Sequence, residues 1–148
     1  MFNFAKFIEW PPEAFPEPRG PMILCAFDDD AFGVALDDVV RSKTINGREL
    51  VVRRVKRAEA LTACQVVFVG TAENKRLLEL LQALKGSTTL IVSDIPGSAE
   101  RGGGIEFYLQ DNKMRFSINV DAVQRAHLAI SSKLLTLAKI VRDHGERS

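Results

Sequence analysis

Met22 to Phe27 (MILCAF) and Gln65 to Val69 (QVVFV) are the stretches that most restrict how this chain can fold. A short strand with almost no polar side chain has no face to give to water, so it needs cover on both sides. Parallel sheets provide that environment. Gly70 stops the second stretch, Leu50 to Val55 alternates as a further strand, and Thr88 to Val92 reads as a fourth. Between the last two, Leu77, Leu80, Leu81 and Leu84 recur at helical spacing opposite Lys75, Arg76, Glu79 and Gln82. This pattern predicts a helix over Ala72–Lys85, capped by Thr71 and ended by Gly86.

Shorter elements fill the rest. Asp30 can cap a helix through Ala35 to Val40, and Ala58 to Ala63 allows a helical turn or two. Phe4, Phe7 and Ile8 share one face of an N-terminal aromatic helix within residues 1–10, which must end before Pro11–Pro12. Ile105, Phe107 and Leu109 alternate with Glu106, Tyr108 and Gln110, turn at Asp111–Asn112, and continue through Met114, Phe116 and Ile118. That is the pattern of an antiparallel hairpin. Asp121 with Gln124 reads as a capping box for a helix to about Leu128, and Ser131 caps a last helix carrying Leu134, Leu137, Ala138 and Val141. Residues 143–148 are expected to fray. The fold class is therefore α/β: one domain over 1–148, a mostly parallel sheet flanked by helices on both faces, and a C-terminal antiparallel hairpin at one edge.

Charge and length exclude several functions. The net charge of +1 is spread along the chain, so there is no basic face to meet nucleic acid. No apolar run approaches the ~18 residues of a membrane span, so the chain is not expected to be membrane-inserted. The opening, Met1-Phe2-Asn3-Phe4, lacks the features of a signal peptide. It starts abruptly inside an apolar pattern, as expected where a leader has been removed. Cys25 and Cys64 are the only cysteines, and His127 and His144 have no ligand-like spacing to them. The pair is either two reduced core thiols or one disulfide.

The most informative loop lies between Ile91 and Asn119, where Ser93–Asp94, a Pro96–Gly97 turn and Gly102–Gly104 stand between two strands. A long glycine-rich loop between buried strands is a common place for function. Arg101, Gly102, Gly103, Gly104, Glu106 and Asn119 are its candidate binding residues, with the glycines serving as a hinge or close-approach point. The run precedes a strand rather than a helix and no GKS/T follows, which argues against a phosphate loop. Ser93 has no G-x-S-x-G elbow. Asp28–Asp30, past the first buried strand, and Asp94 could together hold Mg²⁺ as in a response-regulator receiver. Val69-Gly70-Thr71 stands where a receiver needs its phosphoacceptor, and helix capping explains the aspartates better. No metal and no cofactor is expected.

Several segments taken in order resemble the YfiR-like family: NFAKFIEWP, the Cys25 and Cys64 pair, VVFVG, SDIPG with RGGGIEF, FSIN, and ISSKLLTLAK, spanning Asn3 to Lys139. The resemblance implies a noncatalytic periplasmic regulator, often a homodimer, that represses a membrane-bound diguanylate cyclase and lowers cyclic-di-GMP signalling. It also implies that Cys25 and Cys64 pair as a disulfide. The late second cysteine pair of some members is absent, and Ser117 stands where FEIN is common. The rival expectations are a ligand-sensing or solute-binding domain, with its pocket near Asp28–Asp30 and Asp94, and a receiver-like phosphoacceptor.

Overall fold

A computed structural model describes residues 7–15, 20–27, 38, 41, 43–45, 47–70 and 75–142. Its body is an eight-stranded sheet in the order β10-β8-β7-β6-β5-β2-β4-β3. The strands are β2 (Met22–Phe27), β3 (Thr44–Ile45), β4 (Arg48–Val55), β5 (Val66–Val69), β6 (Leu90–Ser93), β7 (Ile105–Gln110), β8 (Lys113–Asn119) and β10 (Lys139–Val141). Pairing is parallel from β4 through β2, β5 and β6 to β7. The β7–β8 hairpin and the short β3–β4 pair are antiparallel.

The strands of unbroken apolar character behave as their composition requires. All six residues of β2 and all four of β5 and of β6 are buried. Side chains alternate between two cores. Met22, Leu24, Val66, Phe68, Leu90 and Val92 point into one, with Ile105, Phe107 and Ile118. Ile23, Cys25, Phe27, Val67, Val69 and Ile91 point into the other. The hairpin turns where expected, with Asp111 and Asn112 at φ 53° and 63° joining the paired Gln110 and Lys113. Two residues at positive φ match the right-handed twist of the flanking strands.

Among the described residues the helices are shorter than the periodicity suggests. They are α1 (Leu77–Ala83), α2 (Val120–Arg125) and α3 (Ser132–Leu137), with 3-10 turns at Pro12–Ala14 and Ala58–Ala63. Leu77 and Leu80 of α1 enter the second core, as their spacing requires. Thr71, proposed to cap this helix, lies outside the described residues, as do Asp28–Asp30, the 143–148 tail and all of 35–40 except Asp38, which is helical.

Three boundaries need correction. Ile8–Glu9 is not helical but forms the strand β1, paired antiparallel with β9 (Ala129–Ile130) in a small separate sheet. The N-cap of α2 is Asn119, whose side chain accepts from the Ala122 amide, so Asp121 is inside the helix. The last helix ends at Leu137, because Lys139–Val141 leaves it to pair in parallel with Ser117–Asn119. β10 thus covers β8, and the hairpin is not at the sheet edge. Ser131 does cap α3, accepting from the Lys133 amide.

Candidate functional site

The loop between β6 and β7 is built by turns that fold it back on itself. At the end of β6, Ser93 Oγ donates to Val69 O (2.7 Å) and accepts from the Ile95 amide (2.9 Å). Both bonds are buried, so this serine turns the backbone and is not poised as a nucleophile. Pro96 and Gly97 make the corner, closed by the Ser98 amide on Ile95 O at 3.0 Å. Gly97 has φ +79°. Proline followed by a glycine at positive φ is the sequence this turn type demands.

Two side chains from the following strands then hold the corner, one as an acceptor and one as a donor. Glu106 of β7 turns its carboxylate back, Oε2 accepting from the Gly97 amide and Oε1 from the Ala99 amide, both at 3.1 Å. Hydrogen bonds to an ionised acceptor are among the stronger ones a loop can make. Asn119, fully buried at the end of β8, donates from Nδ2 to Ala99 O (2.6 Å) and accepts at Oδ1 from the Ala122 amide (2.9 Å). One amide thus fastens the loop and caps α2.

The glycines permit close approach. The Gly103 amide donates to Ser98 O (2.9 Å), the Gly104 amide to Ile91 O (3.1 Å), and Gly104 O accepts from the Asn119 amide (2.9 Å). A Cβ on Gly103 would lie 3.0 Å from Ser98 O, and one on Gly104 would overlap Leu90 Cδ1 and come within 3.3 Å of Ile91 O. Gly102 has φ +120°, which side chains rarely adopt. The triple glycine is therefore a packed anchor rather than an open hinge.

The structure thus brings the candidate residues together but divides their work. Gly103, Gly104 and Asn119 are buried and Glu106 is half-buried; these four shape the loop. Glu100 and Arg101 are exposed at its apex, beside half-buried Gly102. Of the opening aromatics, Phe7 and Trp10 are partly buried against the first apolar cluster, as is Phe15, and Phe2 and Phe4 lie outside the described residues. Trp10 also donates to Gln65 O (3.2 Å).

Gln65 is a buried organiser that sequence reasoning missed. Its Oε1 accepts from the Ile23 amide and its Nε2 donates to Ala14 O, both at 2.6 Å. A polar residue leading an apolar strand was the available signal. Asp94, the other aspartate suggested for a ligand edge, is exposed. No cluster of three or more His, Cys, Asp or Glu side chains that could hold a metal occurs among the described residues. No described helix is long and apolar enough to cross a membrane.

Cys25 and Cys64 form a disulfide with Cα atoms 6.1 Å apart. Cys25 lies in β2 opposite Val67 of its parallel neighbour β5, and Cys64 closes the 3-10 turn Ala58–Ala63 just ahead of Gln65 and that strand. The end of that turn, rather than the strand register, brings Cys64 within bridging distance of Cys25. Such a bond belongs to an oxidising compartment.

The described residues thus define a disulfide-bonded α/β domain carrying a loop braced from two strands. Comparison with known families is specific. The YfiR/HmsC-like family model matches residues 1–139, and the chain belongs to that family. It is a family of periplasmic regulators.

Proposed function

We propose that this protein is a noncatalytic periplasmic regulatory binding protein that represses a membrane-bound diguanylate cyclase and thereby lowers cyclic-di-GMP signalling. The loop over 98–104 docks on the periplasmic part of that partner. One observation carries this reading beyond family membership: Glu106 and Asn119 brace the loop from two strands while Arg101 stays exposed at its apex. A preformed loop loses little conformational freedom on binding, so more of its contact energy appears as affinity. Repression follows if the bound surface fits the inactive state of the partner better than the active one.

Leu77 and Leu80 enter one core and Val123 and Leu134 the other, which supports helical cover on both sheet faces. Such cover leaves the loops and sheet edges for docking. The working form is taken to be a homodimer. Exposed Leu109 and Met114, paired across the hairpin, together with Leu137 and Ile140, are apolar surface that a second copy could cover. Light scattering of the purified protein tests the dimer.

Docking is tested by the affinity of the oxidised chain for the isolated periplasmic domain of a diguanylate cyclase from the same organism. Arg101→Glu is expected to weaken saturable binding by about tenfold or more, in the range of an interfacial charge contact, with the fold unchanged. Unaltered binding by that variant would remove the loop from the interface. No binding by the wild-type protein to any cyclase domain of the organism would reject the cyclase as partner.

A further inference from the structure

A cleft of about 320 Å³ opens beside the loop, at the amino-terminal end of β6. This is the opposite end of the sheet from Asp94, where a ligand was expected. Its floor and walls are apolar, with Leu81, Leu84, Leu90 and Ala126 prominent, and Leu78, which is 62% exposed, extends the apolar surface at the rim. The polar rim is one-signed: Lys85, Arg101 and Arg125 line the cleft, and no acidic side chain does so among the described residues. Gly102 brings the backbone against this wall, since a Cβ there would meet Leu81 Cδ2 at 3.6 Å and Arg125 Nη2 at 3.8 Å.

We infer that this cleft binds a small amphipathic anion, a carboxylate carried on a compact apolar body. The volume matches about ten waters and lies at the lower end of the range for small-molecule sites. Apolar walls provide burial of the body. Two guanidinium groups at the rim suit a planar carboxylate, which arginine can engage with paired hydrogen bonds. A cation of the same size would meet three like charges, so the cleft discriminates by sign. Because Arg101 and Gly102 also belong to the loop, occupancy would alter the docking surface; that consequence alone rests on the function proposed above.

The test uses the oxidised protein by itself, so its outcome is independent of whether the loop meets a partner. Amide chemical shifts are followed while octanoate is added, with octyltrimethylammonium and octan-1-ol as length-matched probes. Saturable octanoate shifts centred on Leu81, Gly102, Ala122 and Arg125 are expected, with markedly weaker binding of the alcohol and none of the cation. Arg101→Glu with Arg125→Glu should weaken octanoate at least about tenfold, and Ala122→Leu should weaken it by filling the cleft without changing charge. Absence of saturable octanoate shifts, shifts centred elsewhere, equal binding of the cationic probe, or full retention of binding by a folded variant of either kind would overturn the proposal.

Discussion

Asn119 is the residue on which the loop and the start of α2 jointly depend, so Asn119→Ala has a large expected effect for a small truncation. The change removes the acceptor at 2.9 Å from the Ala122 amide and the donor at 2.6 Å from Ala99 O. Loss of an asparagine N-cap costs about 1 kcal/mol. Ala99 O keeps the Gly102 amide as a second partner at 3.1 Å, so losing the Nδ2 bond adds the net value of one buried hydrogen bond, about 1 kcal/mol. The space left at a fully buried site adds a little more, giving an expected loss of about 2–3 kcal/mol. With a urea m-value of about 2 kcal/mol/M, the unfolding midpoint should fall by about 1–1.5 M. Asn119→Asp separates the two contributions: it keeps the cap acceptor but sets an oxygen against Ala99 O where the donor was. It should therefore also be destabilised. If Asn119→Ala unfolds within 0.5 M of the wild-type midpoint, or Asn119→Asp matches the wild type, the bracing role is wrong.

Three further outcomes can be checked in the same denaturation series. Replacing Cys25 and Cys64 together by alanine should destabilise by about 4 kcal/mol in the chain-entropy model for a separation of 39 residues, and dithiothreitol should reproduce the loss in the wild type. Gly104→Ala should cost about 1–3 kcal/mol, because its Cβ would overlap Leu90 Cδ1 in a packed site. Ser98→Ala should be nearly neutral, within about 0.5 kcal/mol, because the buried Ser98 hydroxyl has no hydrogen-bond partner among the described residues to lose.

What could be read in advance was whatever a one-dimensional pattern determines. Met22–Phe27 announces a two-sided strand because every position is apolar, and Asp111–Asn112 announces the hairpin because those residues tolerate positive φ. The extra strands were illegible for a physical reason. Ile8–Glu9, Ala129–Ile130 and Lys139–Val141 are too short to show a period, and only a distant neighbour makes them strands. The same holds for the cap of α2: Asp121 and Gln124 fit a capping box locally, but Asn119 is placed there by β8 and held by Ala99, twenty residues earlier. At the loop the residue types were readable and their roles were not. Glycines that could have been a hinge turn out to be contacts, which becomes visible only once Leu90 and Ser98 O lie beside them.

That division between shaping and touching has a consequence for how function is distributed. Under the function proposed above, buried Gly103, Gly104 and Asn119 can alter docking only by altering the loop, so substitutions there are expected to couple partner affinity to stability. Arg101 is exposed, and substitution at an exposed position usually changes stability far less than substitution in a buried contact. A change in affinity at Arg101 without a change in unfolding midpoint therefore reports contact. A change in both at Asn119 reports geometry. In this loop the groups held by hydrogen bonds and packing face inward, toward Ile91, Ser98 and Ala99, and Glu100 and Arg101 are exposed. The docking role proposed above would be served by this arrangement, a fixed backbone frame carrying exposed contacts.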